Sequence, residues 1–449
     1  MANRLQIENK LDEINTTLKA MAGITDHTLD SIINHFNLNR DGKIYGVKFL
    51  KSGSAKGIKY GANEGLVIEP STKTVQGQND YADILLFQHV DCNARILDDG
   101  TTVIDAIRGE KGFKTHGAVD VCTIACDRYY RQYEDDTYTY FEMSDTWHDG
   151  FHLAKECEDV VNGGSKGFGL YAKCCGGLID DTIYSSYDLP PATYPFKSVN
   201  YNNNVSYYHQ KGEHYSAMKM SELIYLQMMF MIKYGTRNVQ SIYGGCSAYY
   251  NSYQVTVSHA DANKVTIPTS DANSLVIGSY VSVGTNSDRN ARGSHNKAYD
   301  VQILSIESLG DGNSDVTLDA NLSTDVGDYV HTFHWRSGFS EDILGSDGIP
   351  KEGNHSTSQV YPFVMNGIEL MVGAYEVLGN LICDADSNGA YNVYVENDSS
   401  KLSTNVSAIK SNYHHSSKLI TSDTKESWKY IKEYHIDFEN GVYGIDANS

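Results

Sequence analysis

The sequence predicts an α+β protein in which a small all-β unit, residues 251–335, is inserted into a mixed domain formed by residues 121–250 and 336–449. Three observations predict this. Strings such as YQVTVS, SLVIGSYVSVG and DVTLDANL alternate apolar and polar residues at period two through 251–335, separated by Asn/Asp/Gly turns. The string MKMSELIYLQMMFMIKYG (218–235) is apolar nearly all round, which reads as a helix buried against a sheet and closed by Gly235. Mixed sequence resumes at Trp335, so the β block interrupts a larger domain instead of following it.

Residues 1–42 open the chain as a helical oligomerisation segment. Ile7, Leu11, Ile14, Leu18 and Met21 are spaced four, three, four and three apart, the a/d seam of a short coiled coil. The alternative is an amphipathic helix packed on its own domain; the narrowness of the stripe favours a homo-oligomer, with a trimer preferred. Gly23 ends the helix, and Leu29, Ile32, Ile33 and Phe36 mark a second short one. Residues 43–120 then read as short strands (KIYGVKFL, GLVIEP, ADILLFQHV, TTVIDAI) forming a separate β-rich attachment region. Residues 121–250 mix Tyr-rich strands with the buried helix, and the 251–335 insert is expected to be a barrel or sandwich.

Composition excludes several classes of function. The 449 residues carry a hydrophobic fraction of 40%, that of a chain that folds, and a formal charge of −21 from Asp+Glu 57 against Lys+Arg 36. Such a surface repels nucleic acid and anionic membranes, and no apolar run is long enough to span a bilayer. The first residues, MANRLQIENKLDEINTTLKAM, contain acidic groups and no continuous apolar core, so no signal peptide is expected and synthesis is read as cytoplasmic. Eight cysteines lie scattered without a paired framework, which favours free thiols over disulfides or a metal set at Cys122, Cys126, Cys174 and Cys175.

No catalytic motif is present: H-E-x-x-H, G-x-S-x-G and the phosphate-loop pattern are all missing, and VNGGSKGFG (161–169) reads as a surface turn before a strand. Glu134-Asp135-Asp136 reads as a solvated acidic turn, and His414-His415 lacks the further ligands a metal needs. Asp384-x-Asp386-x-Asn388-Gly389 starts like a calcium loop, but Val395 stands where the bidentate Glu belongs and Glu396 comes one residue late, so an Asx-rich turn is favoured over a calcium site. No cofactor is expected. The 33 tyrosines cluster with Asn, Ser and Asp in 127–141, 199–215 and 247–253. Tyr joins rigid contact area to a polar tip, the chemistry of adaptable binding loops and of stacking on sugar rings, whereas any single Tyr is also an ordinary strand residue. Tyr201, Asn203, Tyr207, Tyr208, Tyr249, Tyr250 and Tyr253 are the candidate ligand-binding residues, on exposed loops.

Three strings together resemble bacteriophage proteins with the C-type-lectin-like fold shared by formylglycine-generating enzymes and diversified receptor-binding proteins. They are FEMSDTWHDGFHL (141–153), SELIYLQMMFMIKYGTRNVQSIYGG (221–245), whose turn carries Gly235, Arg237 and Asn238, and MNGIELMVGAYEVLGNLICD (365–384). In the last, Gly367, Gly373 and Gly379 permit tight turns and close approach, Glu369 can accept hydrogen bonds that tie loops together, and Asn380 follows before a strand. The resemblance covers 121–250 and 336–449. It implies a non-enzymatic virion protein, a tail- or head-fibre adhesin whose partners are itself, other virion proteins and a host-surface glycan or protein. Two alternatives accompany it: a purely structural baseplate, fibre or capsid-decoration protein, and an enzyme acting on cell-wall polysaccharide. Formylglycine-generating enzymes hold copper with a late cysteine pair; no cysteine follows Cys383, which argues against that activity. The family's further Gly-rich, Trp-containing segment is also missing before Ser449.

Overall fold

The computed structural model describes residues 39–193, 200–352, 357–374, 376–385, 391–419 and 435–444. The N-terminal a/d stripe, Asp386 and Asn388 lie outside the described residues. The chain is α+β. Its first strands are β1 (Tyr45–Leu50), β2 (Ile58–Gly61), β3 (Val90–Ile96), β4 (Thr102–Ile107), β5 (Val121–Cys126), β6 (Tyr129–Glu134), β7 (Tyr138–Ser144), β8 (His152–Leu153) and β9 (Phe168–Ala172). They form two antiparallel sheets, ordered β2-β1-β7-β6-β8 and β4-β3-β5-β9. Residues 43–120, expected as a separate attachment region, therefore supply strands to both sheets: β1 pairs with β7 from Tyr45↔Met143 to Leu50↔Tyr138, and β3 pairs with β5. The reason is hydrogen bonding: a strand with one buried face needs ladder partners, and these lie across long stretches of chain.

After a hairpin of β10 (Gly177–Ile179) and β11 (Thr182–Tyr184) come helices α1 (Tyr201–His209) and α2 (Met220–Tyr234). Helix α2 lies on β1 and β7, burying Ile224, Tyr225, Met228, Met229 and Ile232 against Tyr45, Val47, Phe49, Phe141 and Met143. Alternation on β1 and β7 puts those residues on one face. The helix closes at Gly235, whose φ of +63° is the left-handed cap that favours glycine. Both helix ends are tied to distant chain. Asn380, fully buried, accepts from Met220 N at 2.8 Å, and Lys59 Nζ donates to Lys233 O at 2.5 Å, placing an acceptor at the N-terminal end and a cation at the C-terminal end.

The insert consists of β12 (Ser252–Gln254), β13 (His259–Pro268), the short α3 (Thr269–Ala272), β14 (Tyr280–Gly284), β15 (Ala298–Ser308), β16 (Asn313–Thr324) and β17 (Tyr329–Thr332). Its antiparallel order is β12-β17-β14-β15-β16-β13. Val255 N bonds Asp328 O, next to β17, at 2.7 Å and Thr256 N bonds Thr266 O on β13 at 2.9 Å, so the segment after β12 bridges the two ends of the sheet and closes it into a small barrel. The alternating residues Val265, Ile267, Val281, Val283, Val301, Ile303, Val316, Leu318 and Val330 fill it. Entry and exit are adjacent: Thr332 N donates to Asn251 O at 3.1 Å.

The chain then rejoins the mixed domain with β18 (Phe363–Met365), β19 (Ile368–Leu370), β20 (Leu381–Ala385), β21 (Tyr391–Val395), α4 (Val406–Asn412), β22 (His414–Leu419), β23 (His435–Asp437) and β24 (Val442–Gly444). Phe363, Met365, Ile368, Leu370, Val393, Val395, Phe438 and Tyr443 join the same apolar cluster as α2, β1 and β7. Residues on both sides of the insert thus share one core. Polar ties reinforce it: Lys233 Nζ on α2, only 2% exposed in its side chain, meets Asp347 Oδ2 and Asn366 Oδ1, each at 2.8 Å. The β18–β19 turn is Asn366-Gly367, both at positive φ (50° and 74°), the form a two-residue hairpin requires. All eight cysteines are unpaired, and all but Cys175 and Cys383 are buried. Among the described residues no helix is long and apolar enough to cross a membrane.

Candidate functional site

A cavity of about 660 Å³ opens where the two parts of the mixed domain meet. Its floor is the β3-β5-β9 sheet, through Ala94, Ile96, Cys122, Phe168 and Leu170. One wall is the 155–166 segment, which runs into the 161–169 string read from sequence as a surface turn; the other is the stretch from Tyr208 into the first turn of α2. Ile368, Glu369, Leu370, Glu376 and Asn397 come from beyond the insert. Volume and mixed lining are those of a small-molecule site.

Among the ionisable groups that line the cavity, Glu156, Lys166, Lys219 and Glu222 are half-buried. Glu156 Oε1 accepts from Tyr130 Oη and Tyr171 Oη, each at 3.1 Å, and burial raises its ionisation above the ordinary carboxylate range despite the nearby Arg128. Glu222 Oε2 accepts from Lys219 N at 3.0 Å, so the side chain caps its own helix; burial pushes its carboxyl up to about 7, against the pull of Lys219. Burial lowers both lysines. Lys219 Nζ donates to Asn397 O at 2.8 Å, and Lys166 Nζ stands 5.5 Å from the centre of the Phe168 ring. Beneath them, fully buried Arg128 donates to Cys126 O at 2.7 Å and lies 4.2 Å from the Tyr225 ring centre.

The ligand-binding residues expected from sequence are placed differently. Tyr201, Asn203, Tyr207 and Tyr208 are not on a loop but on α1, whose N-cap Asn200 accepts from Asn203 N at 2.9 Å. Tyr201 Oη meets Tyr413 Oη at 2.6 Å, and Tyr208 alone of the seven lines the cavity. Tyr249 is not exposed: it is buried, with its hydroxyl at 2.8 Å from Ser279 Oγ and accepting from Val276 N at 3.1 Å. Tyr253, half-buried, sits on β12. Only Tyr250 is widely exposed, at 52%, with the Arg289 guanidinium 3.1 Å above its ring and Asn290 Oδ1 accepting its hydroxyl at 2.8 Å. Of the tyrosines of 127–141, Tyr130 is buried in the core, while Tyr133, Tyr138 and Tyr140 form a cross-strand ladder on the outer face of the first sheet. Tyr133 and Tyr140 stack at 4.5 Å, Tyr60 meets Tyr140 edge-on, and Lys48 Nζ lies 4.6 Å from the Tyr138 ring centre.

The glycine-rich strings behave as connectors. Glu369 accepts from Gly338 N at 2.9 Å, Ser340 N at 2.9 Å and Ser340 Oγ at 2.6 Å, fixing the return from the barrel. Gly379 runs against Ala217: an added Cβ would meet Ala217 N and O, both at 2.8 Å. Gly373, at φ +94°, packs on Cys246. Arg237 lies 4.4 Å from the Phe49 ring centre, and Asn238 N donates to Thr236 Oγ1 at 3.1 Å. Asp384 belongs to β20 and pairs with Lys410 at 2.6 Å. Among the described residues no group of three His, Cys, Asp or Glu side chains is placed to hold a metal. The Glu134–Asp136 string is the β6–β7 turn, with Asp135 Oδ1 accepting from Thr137 N and Tyr138 N, both at 2.7 Å.

Sequence reasoning missed Glu156, Lys166, Lys219 and Glu222. The one signal for them was the Lys219-x-x-Glu222 spacing ahead of an apolar run, a helix-start pattern without the usual capping residue. No protein-family model matches this chain, and no curated protein or solved structure is found to be similar to it.

Proposed function

We propose that this chain is a bacteriophage virion protein, a tail- or head-fibre adhesin whose C-type-lectin-like domain recognises a host-surface glycan or protein without performing a reaction. The observation that carries this reading is the convergence of the three resembling strings. Phe141 and Met143 from the first, Ile224, Tyr225 and Met228 from the second, and Met365, Ile368 and Leu370 from the third share a single apolar cluster. Strings that are far apart in the chain and resemble one family gain weight as a fold signature when they pack as one body. The N-terminal stripe is the oligomerisation device of the proposal, gathering several copies, preferably three, so that weak contacts add through avidity. Neighbouring virion proteins are the other partners, and the site of action is the assembled particle.

The test is binding of the full chain to a panel of bacterial cell-wall extracts, alongside localisation in phage particles by labelled antibody. Binding to an extract with exposure at a particle tip is the expected result. Particle incorporation with every copy covered by its neighbours and no binding to any extract would instead favour a purely structural baseplate or decoration role.

The raised ionisation of Glu156 and Glu222 in one cavity favours a second reading, a polysaccharide-cleaving enzyme, since acid–base pairs need such shifts. Against it, both carboxylates already hold structure: Glu156 binds two tyrosine hydroxyls, and Glu222 caps α2. Release of reducing sugar from cell-wall polysaccharide that disappears in Glu156→Gln and Glu222→Gln would establish the enzyme.

A further inference from the structure

In a chain carrying 57 acidic against 36 basic residues, the cavity holds two cations that, among the described residues, lack a carboxylate partner. Its other cations are answered: Lys155 by Glu158 at 2.8 Å, Arg95 by Asp105 at 3.0 Å, and Lys211 by Asp120. Among the described residues Lys166 and Lys219 have no carboxylate at ion-pair distance. Lys219 Nζ reaches one carbonyl, Asn397 O, and Lys166 Nζ faces the Phe168 ring. Half-buried ammonium groups placed in this way gain favourable interaction from a counter-charge.

We infer that the cavity binds an acidic sugar residue, its carboxylate held between Lys166 and Lys219. The inference rests on the adhesin reading and names the ligand class for it. Three further features fit. The volume of about 660 Å³ suits one or two sugar rings. Phe168 and Leu170 give an apolar floor on which a ring face can lie, while Asn162, Ser165 and Ser399 offer hydroxyl partners around it. Of the carboxylates that share the lining, Asp120, Glu158 and Asp398 are paired with Lys211, Lys155 and Lys401, while Glu156, Asp159, Glu222, Glu369 and Glu376 disfavour a dianion such as phosphate more than a monoanion. Burial raises the Glu222 carboxyl to about 7, which lessens the repulsion that a sugar carboxylate would meet there.

Isothermal titration of the full chain with glucuronate, galacturonate and N-acetylneuraminate, against glucose and inorganic phosphate, tests the inference. At least one acidic sugar binds, glucose and phosphate bind at least tenfold more weakly, and Lys166→Met and Lys219→Met each weaken the acidic sugar roughly 10- to 100-fold, the worth of a charge-assisted hydrogen bond. Lys166→Arg keeps most of the affinity. Near-ultraviolet circular dichroism identifies folded variants, and Lys166→Met alone suffices if Lys219→Met does not fold. Absence of binding by all three acidic sugars, affinity unchanged in folded Lys166→Met, or phosphate binding as tightly as the sugars would each overturn it. Cell-wall binding by a chain that ignores acidic sugars would remove this inference and leave the adhesin reading in place. Acidic-sugar binding through the lysines with no cell-wall binding would do the reverse.

Discussion

Removing Asp347 should destabilise the whole mixed domain, because its carboxylate is the counter-charge to an ammonium that has no route to water. The Lys233 and Asp347 side chains are 2% and 3% exposed and 2.8 Å apart. Asp347 also accepts from Tyr234 Oη at 2.9 Å and from Asn366 N at 2.9 Å, so helix α2, the 347 loop and the β18–β19 turn meet at one carboxylate. Asp347→Ala leaves the Lys233 charge buried and uncompensated, a loss of about 3–5 kcal/mol. Lys233→Met leaves the opposite charge and costs about as much. The double variant Lys233→Met/Asp347→Leu leaves no buried charge. Its remaining cost is that of stranded neutral partners, the Asn366 amide and the Tyr234 hydroxyl, about 1–3 kcal/mol each at most. If the two single effects were independent they would sum to about 6–10 kcal/mol; the structure requires the double variant to fall below that sum, at about 2–6 kcal/mol. Urea unfolding followed by far-ultraviolet circular dichroism measures all three variants. A loss under about 1 kcal/mol for Asp347→Ala, or additive single effects, would refute the reasoning.

Three other expectations concern separate parts of the molecule. Glu222 has a folded-state ionisation raised to about 7 from its ordinary 4.5. Between those values the folded chain binds the proton more tightly than the unfolded chain, so this group favours folding at low pH and loses that contribution as pH rises through about 7. Glu222→Gln, which keeps a side-chain oxygen for Lys219 N, should flatten this part of the stability–pH profile; an unchanged slope would contradict the assignment. Gly379→Ala drives a methyl into Ala217 N and O and should cost about 1–3 kcal/mol in thermal unfolding. Tyr249→Phe strands a buried bonding pair and should cost about 1–3 kcal/mol, whereas Tyr250→Ala, one residue on but half exposed, should stay within about 1 kcal/mol of the parent.

Local pattern carried the parts of the fold that depend on near neighbours. The all-round apolar string became α2 because a helix with no polar face has to be covered, and Gly235 stops it where a left-handed residue is needed. Period-two alternation identified the strands of the insert, whose β15–β16 pairing is a local hairpin. Pairing across long loops was not legible. Nothing in KIYGVKFL indicates that β1 lies beside β7, some ninety residues on, so 43–120 looked like a region of its own. The Asn-rich run at 200–209 read as a loop because Asn is a poor helix former. Asn200 was nevertheless the start signal, a side-chain acceptor placed just ahead of α1. The cavity was illegible for a third reason: its lining is contributed by well-separated segments, and the ionisation of Glu156 and Glu222 is set by burial, which exists only once those segments have met. The clustered tyrosines show the same limit. Composition marked them as contact residues, but burial divides them among a core (Tyr249), a helix pair (Tyr201 with Tyr413) and a sheet-face ladder (Tyr133 with Tyr140).

The central claim is that chain on either side of the barrel closes into one core. Native-state hydrogen exchange, read by mass spectrometry on peptides covering 220–234 and 363–370 under rising urea, tests it most directly. A shared core requires both peptides to lose protection in one transition with the same free energy, and Asp347→Ala to lower both by the same amount. Separate transitions, or a variant that loosens one peptide and leaves the other untouched, would contradict the claim.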